Sequence, residues 1–356
     1  MAYWAWVLAD DAGAPLADLS DSSDRRLRRT RNRASEASVS LSLEDDAAVK
    51  FFDKLNNTGV PQLRVYRSVN PFGVEAPGTL VFSGYWEPPI SGAVDQGSSK
   101  IDLAFADPFR RLERRFTDAL VTYSATDAGA IAWDLIDDRN TEGETGIKQG
   151  TIATTKVRDR TYENKQVAEG IVQLTEVLDG FDFSMTPLDA SLNANKLASF
   201  EVHTKQGADQ EDVRFEFGAE TLANLSGFSF TTPGPTTKAR VLGADGLISD
   251  RPSTFSSIWG IWQQIVTATD VTEQATLDDK AEDLLRNEIK HVYGVTADPK
   301  IAPQPVTDFD VGDTVRVGID TLAISEQRAV RVSAWEIGFG PDGVEETLTV
   351  EFDSAC

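Results

Sequence analysis

The stretch VSAWE (residues 332–336), with the strand LTVEF (348–352) after it, decides the fold because the same succession occurs near the other end of the chain. There SGYWE (83–87) is followed by IDLAF (101–105), and a turn containing Pro and Gly separates the two strands in both places. A further strand precedes each pair, LRVY (63–66) in one and VRV (315–317) in the other. This recurrence predicts a structural duplication, with the alternative that any two antiparallel meanders look alike at this level.

Strands dominate the rest of the chain as well. Alternation of apolar and polar residues marks strands with one buried face, and it covers Ala37–Leu43, Leu80–Trp86, Ile101–Phe105, Val213–Phe217, Val315–Ile319, Val330–Ala334 and Leu348–Phe352. The apolar start, Ala2–Ala9, is too short for a signal peptide or a membrane span and is predicted as the first strand. Turns are expected at Asn70-Pro71, Pro77-Gly78, Pro88-Pro89, 233–235 and 341–343.

Helices are predicted mainly in the middle of the chain. An apolar stripe from Gln166 to Leu178 predicts one helix, with Gly180 as its C-terminal cap. A second helix is predicted from Thr276, where a capping-box pattern begins, to Val292, with Gly294 ending it. Shorter helices are expected at Asp46–Leu55 and Ala128–Ile136, and 257–266 is expected to form a helix or a turn.

Composition limits the classes of function. The 356 residues carry 57 acidic and 34 basic side chains, a net charge of −23, which argues against sequence-specific DNA binding because phosphate contacts need a basic surface. An acidic surface would still let DNA pass, because an acidic wall repels phosphate. Cys356 is the one cysteine, so no intramolecular disulfide can form and the fold is expected not to depend on oxidation.

No catalytic, cofactor-binding or metal-binding residue is predicted. The two histidines, His203 and His291, are far apart in sequence and are interpreted as structural or surface residues, which leaves a zinc-type site without ligands. Asp308, Asp310 and Asp313 are closely spaced but lack the pattern of a calcium loop, and a solvated loop is favoured over a metal site.

Motifs for covalent and phosphate chemistry are also missing from the sequence. It has no Gly-x-Ser-x-Gly nucleophile elbow and no phosphate-binding loop, and Gly338-Phe339-Gly340 is interpreted as a hairpin loop. Two alternative functions from other classes remain open. One is a polysaccharide hydrolase acting through two carboxylates. The other is a carbohydrate-binding module that uses some of Trp4, Trp6, Trp86, Trp259 and Trp262.

Two arginine clusters stand out from the acidic background. Six arginines lie between Arg25 and Arg33, and a second group consists of Arg110, Arg111, Arg114 and Arg115. They could contact an acidic partner, either protein or nucleic acid. The favoured interpretation is pairing with the excess acids of this chain or of a neighbouring copy, because so acidic a chain offers many carboxylates to arginine.

The order of several features points to a family. An apolar first strand leads to the acidic turn Asp10-Asp11-Ala12-Gly13, then to Leu19-Ser20-Asp21, the arginine-rich stretch and an alternating strand in Asn32–Leu41. The helix from Gln166 is followed by Phe181-Asp182-Phe183, and Phe309–Val315 contains Gly-Asp-Thr-Val. Taken in this order, they resemble the minor tail proteins of siphophages that form tail-tip hubs. The helix with Phe181-Asp182-Phe183 resembles the middle domain of those proteins, and Gly-Asp-Thr-Val resembles the start of their second barrel. The resemblance covers most of the chain, although each motif alone is degenerate.

The resemblance implies an α+β, β-rich fold with two related β-barrel domains, an α/β middle domain and a helical insertion. We predict a first barrel at 1–108 and the α/β domain at 109–196. The second barrel is predicted at 197–246 together with 300–356, interrupted by a mainly helical insertion at 247–299. Three chains would form a ring of six barrels, which would match a sixfold tail tube to threefold parts below it.

The function implied is structural rather than enzymatic, with no cofactor. The chain is expected in the virion at the tail tip, after synthesis in the host cytoplasm, as a homotrimeric ring through which DNA passes. Its expected partners are its own copies, the distal tail protein or tail tube protein, the tape-measure protein and other minor tail proteins. No host-binding or cell-wall-degrading extension is expected.

Overall fold

The computed structural model describes residues 3–57, 59–68, 78–94, 99–118, 120–193, 195–218, 223–231, 236–286, 292–321, 325–340 and 345–354. The turns predicted at Asn70-Pro71, 233–235 and 341–343, as well as Pro77, His291 and Cys356, lie outside these ranges. Within them, no helix combines the length and the apolar character that crossing a bilayer requires.

The N-terminal part is built mostly of strands, as its alternating sequence predicts. Its elements are β1 (Tyr3–Ala9), β2 (Pro15–Asp18), β3 (Ser23–Thr30), β4 (Glu36–Ser42), α1 (Asp46–Asn57), β5 (Gln62–Ser68), β6 (Thr79–Val94) and β7 (Ser99–Ala106). The first strand and the short helix at Asp46 are confirmed.

The middle part mixes helices and strands. Its elements are α2 (Phe109–Leu112), β8 (Val121–Asp127), α3 (Ala128–Glu142), β9 (Ile147–Ile152), β10 (Val157–Tyr162), α4 (Val167–Thr175), β11 (Asp182–Pro187), a 3-10 turn (Ala190–Leu192) and β12 (Ala198–His203). One apolar cluster, made of Ala34 and of residues between Phe109 and Val202, holds α3 and α4 against these strands. The helices predicted near Ala128 and Gln166 are confirmed.

The C-terminal part contains β13 (Asp209–Phe217), β14 (Leu225–Thr231), β15 (Lys238–Leu242), a 3-10 turn (Ala244–Gly246), β16 (Ile248–Pro252), α5 (Ser256–Trp259), β17 (Gln263–Thr267), α6 (Gln274–Arg286), β18 (Val292–Ala297), β19 (Thr314–Asp320), β20 (Ser325–Phe339) and β21 (Glu345–Ser354). The segment 247–299, predicted to be a mainly helical insertion, contains the helices α5 and α6 and also the strands β16, β17 and β18. β15, β16 and β17 form a small sheet on which α6 packs, with Val241 and Leu277 in its core.

One sheet joins the two ends of the chain. Thirteen strands belong to it, in the order β14-β18-β21-β20-β3-β4-β7-β6-β5-β1-β2, with β19 bridging β20 and β13. A single apolar cluster lies under both halves, where Phe339 packs edge-on against Trp4 and Trp6 at 5.6 Å between ring centroids. The first and last parts of the chain therefore share a core, and the division into two barrels stays a prediction.

The duplication predicted from the sequence is present in the strand order. The five antiparallel strands β3-β4-β7-β6-β5 correspond in chain order and pairing to β14-β18-β21-β20-β19. A sixth strand extends each set at the same edge, although β1 is antiparallel to β5 whereas β13 is parallel to β19. Trp86 and Trp335 lie in corresponding strands, opposite Phe105 and Val350 respectively.

Some element ends differ from the sequence predictions. Gly180 does not cap α4, which ends at Thr175; the left-handed residue after it is Asp179, with a φ of 57°. Thr276 lies inside α6 rather than at its N-terminal cap. Val292 and Gly294, expected in and after that helix, belong to β18, because this segment pairs on both sides, with β14 and with β21.

Two predicted turns are strands. Pro88 and Pro89 lie within β6, where the pairing with β7 is irregular between Glu87 and Ser91. This position suits proline, which lacks the N–H that a regular ladder requires. Gly338 and Phe339, interpreted as a hairpin loop, are the last two residues of β20, and the Phe339 side chain is buried.

Candidate assembly surfaces

The residues considered for chemistry have structural partners. His203 ends β12, and its Nε2 atom lies 2.9 Å from the hydroxyl of Ser184 on the neighbouring strand. Across the described part of the chain, no group of three or more His, Cys, Asp or Glu side chains is arranged to hold a metal ion.

The acidic loop before β19 fastens the start of that strand. The Asp313 carboxylate accepts hydrogen bonds from the backbone N–H groups of Ala208 (2.7 Å) and Asp310 (2.9 Å). Gly312 adopts a φ of 91°, and a Cβ on the facing Gly207 would lie 2.2 Å from the Gly312 carbonyl carbon. The Gly-Asp pair is thus required by a close approach of two backbone segments, and its carboxylate is already used.

The first arginine cluster lines the junction between the two halves of the large sheet. β3 pairs with β20, and Arg28 reaches Glu336 (3.7 Å) and Glu351 (2.9 Å) across it. Arg29 donates to the Asp310 carboxylate at 2.7 Å. The favoured interpretation, pairing with the chain's own acids, is confirmed for these residues.

A second set of charges ties this junction to the middle part. Asp182, on β11, accepts a hydrogen bond from Arg331 at 2.5 Å and lies 3.7 Å from the Arg31 guanidinium. Burial alone would raise the pKa of Asp182, but Arg331 and Arg31 outweigh it and hold that pKa below its ordinary value. Arg31 also pairs with Asp353. Nothing local in the sequence identifies Asp182, because its partners are about 150 residues away in both directions.

The second arginine cluster covers the outer face of the sheet near α2. Arg110 pairs with Glu36 and Glu113, and Arg114 lies 3.5 Å from Glu87. The Arg111 guanidinium stacks over the Tyr85 ring, 3.3 Å from its centroid. Arg110, Arg114 and the three acids border a cleft of about 340 Å³. Arg110 and Arg114 thus meet carboxylates of the same chain, whereas Arg111 packs on an aromatic ring.

Asp107 lies where β7 leads into α2. Its carboxylate accepts hydrogen bonds from the N–H groups of Ser35 (2.7 Å) and Phe109 (2.9 Å), so one side chain fastens the β3–β4 turn to the middle part. Burial raises the pKa of Asp107 from 3.8 to about 7, and the two N–H donors offset this only in part.

Because the folded-state pKa of Asp107 is raised, its contribution to stability is full below about pH 4 and is lost as pH rises through about 7. As the pH rises from 5 to 8, we expect this group to lower the free energy of unfolding by about 2–3 kcal/mol. Urea unfolding of the wild type and of Asp107→Asn, each at both pH values, measures this effect. Other titrating groups change the free energy of unfolding equally in the two proteins, so the difference between the two changes is due to Asp107. Equal pH dependence in both proteins would contradict the prediction.

Six of the seven tryptophans fall into two groups. Trp4, Trp6 and Trp335 are buried and Trp86 is half-buried, so these four are packing residues and offer no open platform for a sugar. Trp259 and Trp262 are 54% and 58% exposed.

The exposed pair lies in a stretch of exposed apolar side chains that runs from the start of α5 into β17. The apolar patch consists of Phe255, Ile258, Trp259, Ile261, Trp262 and Ile265, all between 43% and 75% exposed. Six large apolar side chains within eleven residues exceed the scattered exposure that is normal for a protein surface. Such a patch is typical of a protein–protein contact, in which Trp side chains contribute much of the binding energy.

Comparisons with known proteins identify the fold. No known family and no curated protein matches the sequence. Among solved structures, a tail protein from Neisseria meningitidis MC58 is similar with a TM-score of 0.64 at 12% identity, covering 99% of this chain and 97% of that one. A 43 kDa tail protein of prophage MuSo2 from Shewanella oneidensis gives 0.61 at 11% identity, with 98% and 97% covered. Prophage tail protein gp18 from Listeria monocytogenes EGD-e gives 0.57 at 13% identity, with 99% and 94% covered.

These likenesses extend from one end of the chain to the other. The chain therefore has the fold of phage tail proteins, and the β-rich α+β class predicted from the sequence is confirmed.

Proposed function

We propose that this chain is a structural component of a bacteriophage tail tip, a hub ring that joins the tail tube or distal tail protein to the tip. The observation that carries the proposal is the internal repeat, two sets of five antiparallel strands with the same order, within a fold shared end to end with phage tail proteins. No enzymatic step forms part of this role.

Three copies would complete the ring. Homo-oligomers usually close by rotational symmetry. With two like sets of strands in each chain, a threefold ring presents six near-equivalent positions, which is the number that a sixfold tube requires. Two different halves in one chain can still bind different neighbours above and below, such as the distal tail protein, the tape-measure protein or other minor tail proteins.

Passage of DNA is compatible with the charge of the chain. Each copy carries −23, and arginines of both clusters are paired with carboxylates of the same chain. We expect an acidic wall around a central opening, and such a wall repels phosphates over a screening length of about 8–10 Å. The arginines hold the chain together in this proposal and do not line the opening.

The apolar patch is proposed to contact another tail protein. Trp259→Ser with Trp262→Ser removes its two largest side chains, and since both are more than half exposed we expect the free energy of unfolding to change by less than about 0.5 kcal/mol. Incorporation into particles should fall at least about tenfold, because exposed Trp residues contribute strongly to contacts. Complementation of a phage lacking this gene, with immunoblots of purified particles, measures incorporation.

Leu192→Ser is the matched control, since Leu192 is 81% exposed and lies outside the apolar patch. We expect this variant to be incorporated normally. Normal incorporation of the double tryptophan variant would contradict the proposed contact.

Carbohydrate binding is a second candidate, favoured by the exposure of Trp259 and Trp262 alone. Indole rings at a surface can stack on sugars as well as on protein. Binding of host cell-wall glycans by the isolated wild type, lost in Trp259→Ser with Trp262→Ser, would support it over the hub.

Immunogold labelling of intact particles tests the tail-tip location. We expect gold at the end of the tail opposite the head. Gold along the whole tail, on the head, or only in unassembled protein would contradict the proposal.

A further inference from the structure

The small sheet has two edges that differ in chemistry. Its strand order is β16-β15-β17, so within the described chain β16 and β17 each pair with β15 alone. The unpaired N–H and C=O groups along an edge strand can pair with a strand of another protein, and proteins protect free edges with charged residues and with proline.

The edge formed by β16 is protected in this way. The strand contains Asp250, Arg251 and Pro252. Asp250 lies 2.5 Å from the Arg240 guanidinium of β15, and Arg251 lies 2.7 Å from Asp278 of α6. A strand added beside β16 would have to approach these charges, and Pro252 has no N–H to donate to it. This edge is therefore suited to solvent.

The edge formed by β17 has no such protection. Its sequence, Gln-Gln-Ile-Val-Thr, contains neither a charged residue nor a proline, and four of its five side chains are exposed. From Pro252 to Thr269 no residue is charged, although 26% of the whole chain is. The apolar patch lies within this stretch. An uncharged edge beside exposed apolar side chains is prone to aggregation unless another strand covers it.

The chemistry of this surface specifies what covers it. A charged side chain placed on the apolar patch would lose its water without gaining an ionic partner, so the charge match is with an uncharged segment. The open edge of β17 requires that segment to be extended. Pairing of β17 with β17 of a second copy would be a twofold contact, which a threefold ring does not contain. The occupant is therefore expected on a different protein.

We propose that β17 binds an extended, uncharged segment of a different tail protein, which becomes the fourth strand of the small sheet and sets apolar side chains against the apolar patch. The inference rests on the proposed function and deepens it, since it names the kind of partner that the patch contacts. In such strand addition, backbone hydrogen bonds supply affinity and alternate side chains supply specificity.

A matched pair of substitutions tests the proposal. Ile265 and Ile248 are 57% and 52% exposed and lie on the two opposite edges of the small sheet. Lysine on an edge strand opposes the addition of another strand. We expect Ile265→Lys to lower incorporation into particles at least about tenfold and Ile248→Lys to be incorporated normally, in the same complementation assay. Both variants should unfold at the urea concentration of the wild type, since both side chains are exposed.

Hydrogen exchange followed by mass spectrometry separates an added strand from a contact of side chains alone. We expect peptides that cover 263–267 to exchange at least about tenfold more slowly in wild-type particles than in the purified protein, because the outer N–H groups of β17 gain partners. Peptides that cover β16 should exchange equally in both.

Normal incorporation of Ile265→Lys, or an equal loss for Ile248→Lys, would overturn the proposed strand. Unchanged exchange of 263–267 in particles would also overturn it, and the patch would then bind through side chains only. Protection that rises with the concentration of the purified protein would make a second copy the occupant. All these results leave the hub standing. Absence of the wild type from the tail tip would remove the hub and this inference with it.

Discussion

Phe339→Ala is expected to destabilise both ends of the chain together. The Phe339 ring is buried between Trp4 and Trp6, 5.6 Å from each, and the Arg25 guanidinium lies over its face at 5.3 Å. Truncation of a buried Phe to Ala removes its contacts and leaves a cavity, which lowers the free energy of unfolding by about 3–5 kcal/mol. Because the first and last strands share this core, we expect one unfolding transition that moves as a whole to lower urea concentration.

Tryptophan fluorescence and far-UV circular dichroism, followed along the same urea titration, measure this effect. Trp262→Ala is the control, since Trp262 is 58% exposed, and it should change stability by less than about 0.5 kcal/mol. Two separate transitions, with only the later one shifted by Phe339→Ala, would mean that the two ends unfold independently.

Asp182→Ala is the second substitution expected to have a large effect. The side chains of Asp182, Arg331 and Arg31 are only 10%, 13% and 19% exposed, so removal of the carboxylate leaves the poorly hydrated Arg331 guanidinium without its acidic partner and leaves Arg31 with Asp353 alone. Loss of one partner from a buried ion pair costs about 3–5 kcal/mol. The wild type should lose the same contribution only in acid. The pKa of Asp182 is lowered, so its stabilisation is present above its ordinary pKa and disappears as pH falls through the folded-state value.

Asp353→Ala is the matched control, because Asp353 pairs with the same Arg31 but is 41% exposed. Exposed pairs contribute at most about 1 kcal/mol. Urea unfolding at neutral pH compares the two variants, and equal losses for both would show that burial of the Asp182 network does not matter.

Local patterns predicted the strands well and their ends less well. The alternation around Trp86 and Trp335 identified the repeat because each strand has one buried face, a property of the residues themselves. The sequence prediction makes helix α6 too long, because the apolar stripe continues to Ile289. Its end depends on β18, whose pairing with β14 and β21 is a tertiary effect.

At the junction between the two halves of the large sheet, the sequence predicted the type of contact but not the partners. An excess of acids made pairing of the arginines with the chain's own carboxylates the favoured interpretation, but which acid meets which arginine is set by strand register. Arg28 pairs with Glu351, 323 residues away. The apolar patch gave a weak signal, since Trp259 and Trp262 could equally have been buried. The small sheet of β15, β16 and β17 was missed because its strands have five residues each, too few for a clear period.

Electron microscopy of the purified protein at high concentration, with class averages computed without imposed symmetry, tests the hub most directly. We expect a threefold ring with six similar lobes around an open centre. A twofold assembly, or a closed disc with no central opening, would contradict it.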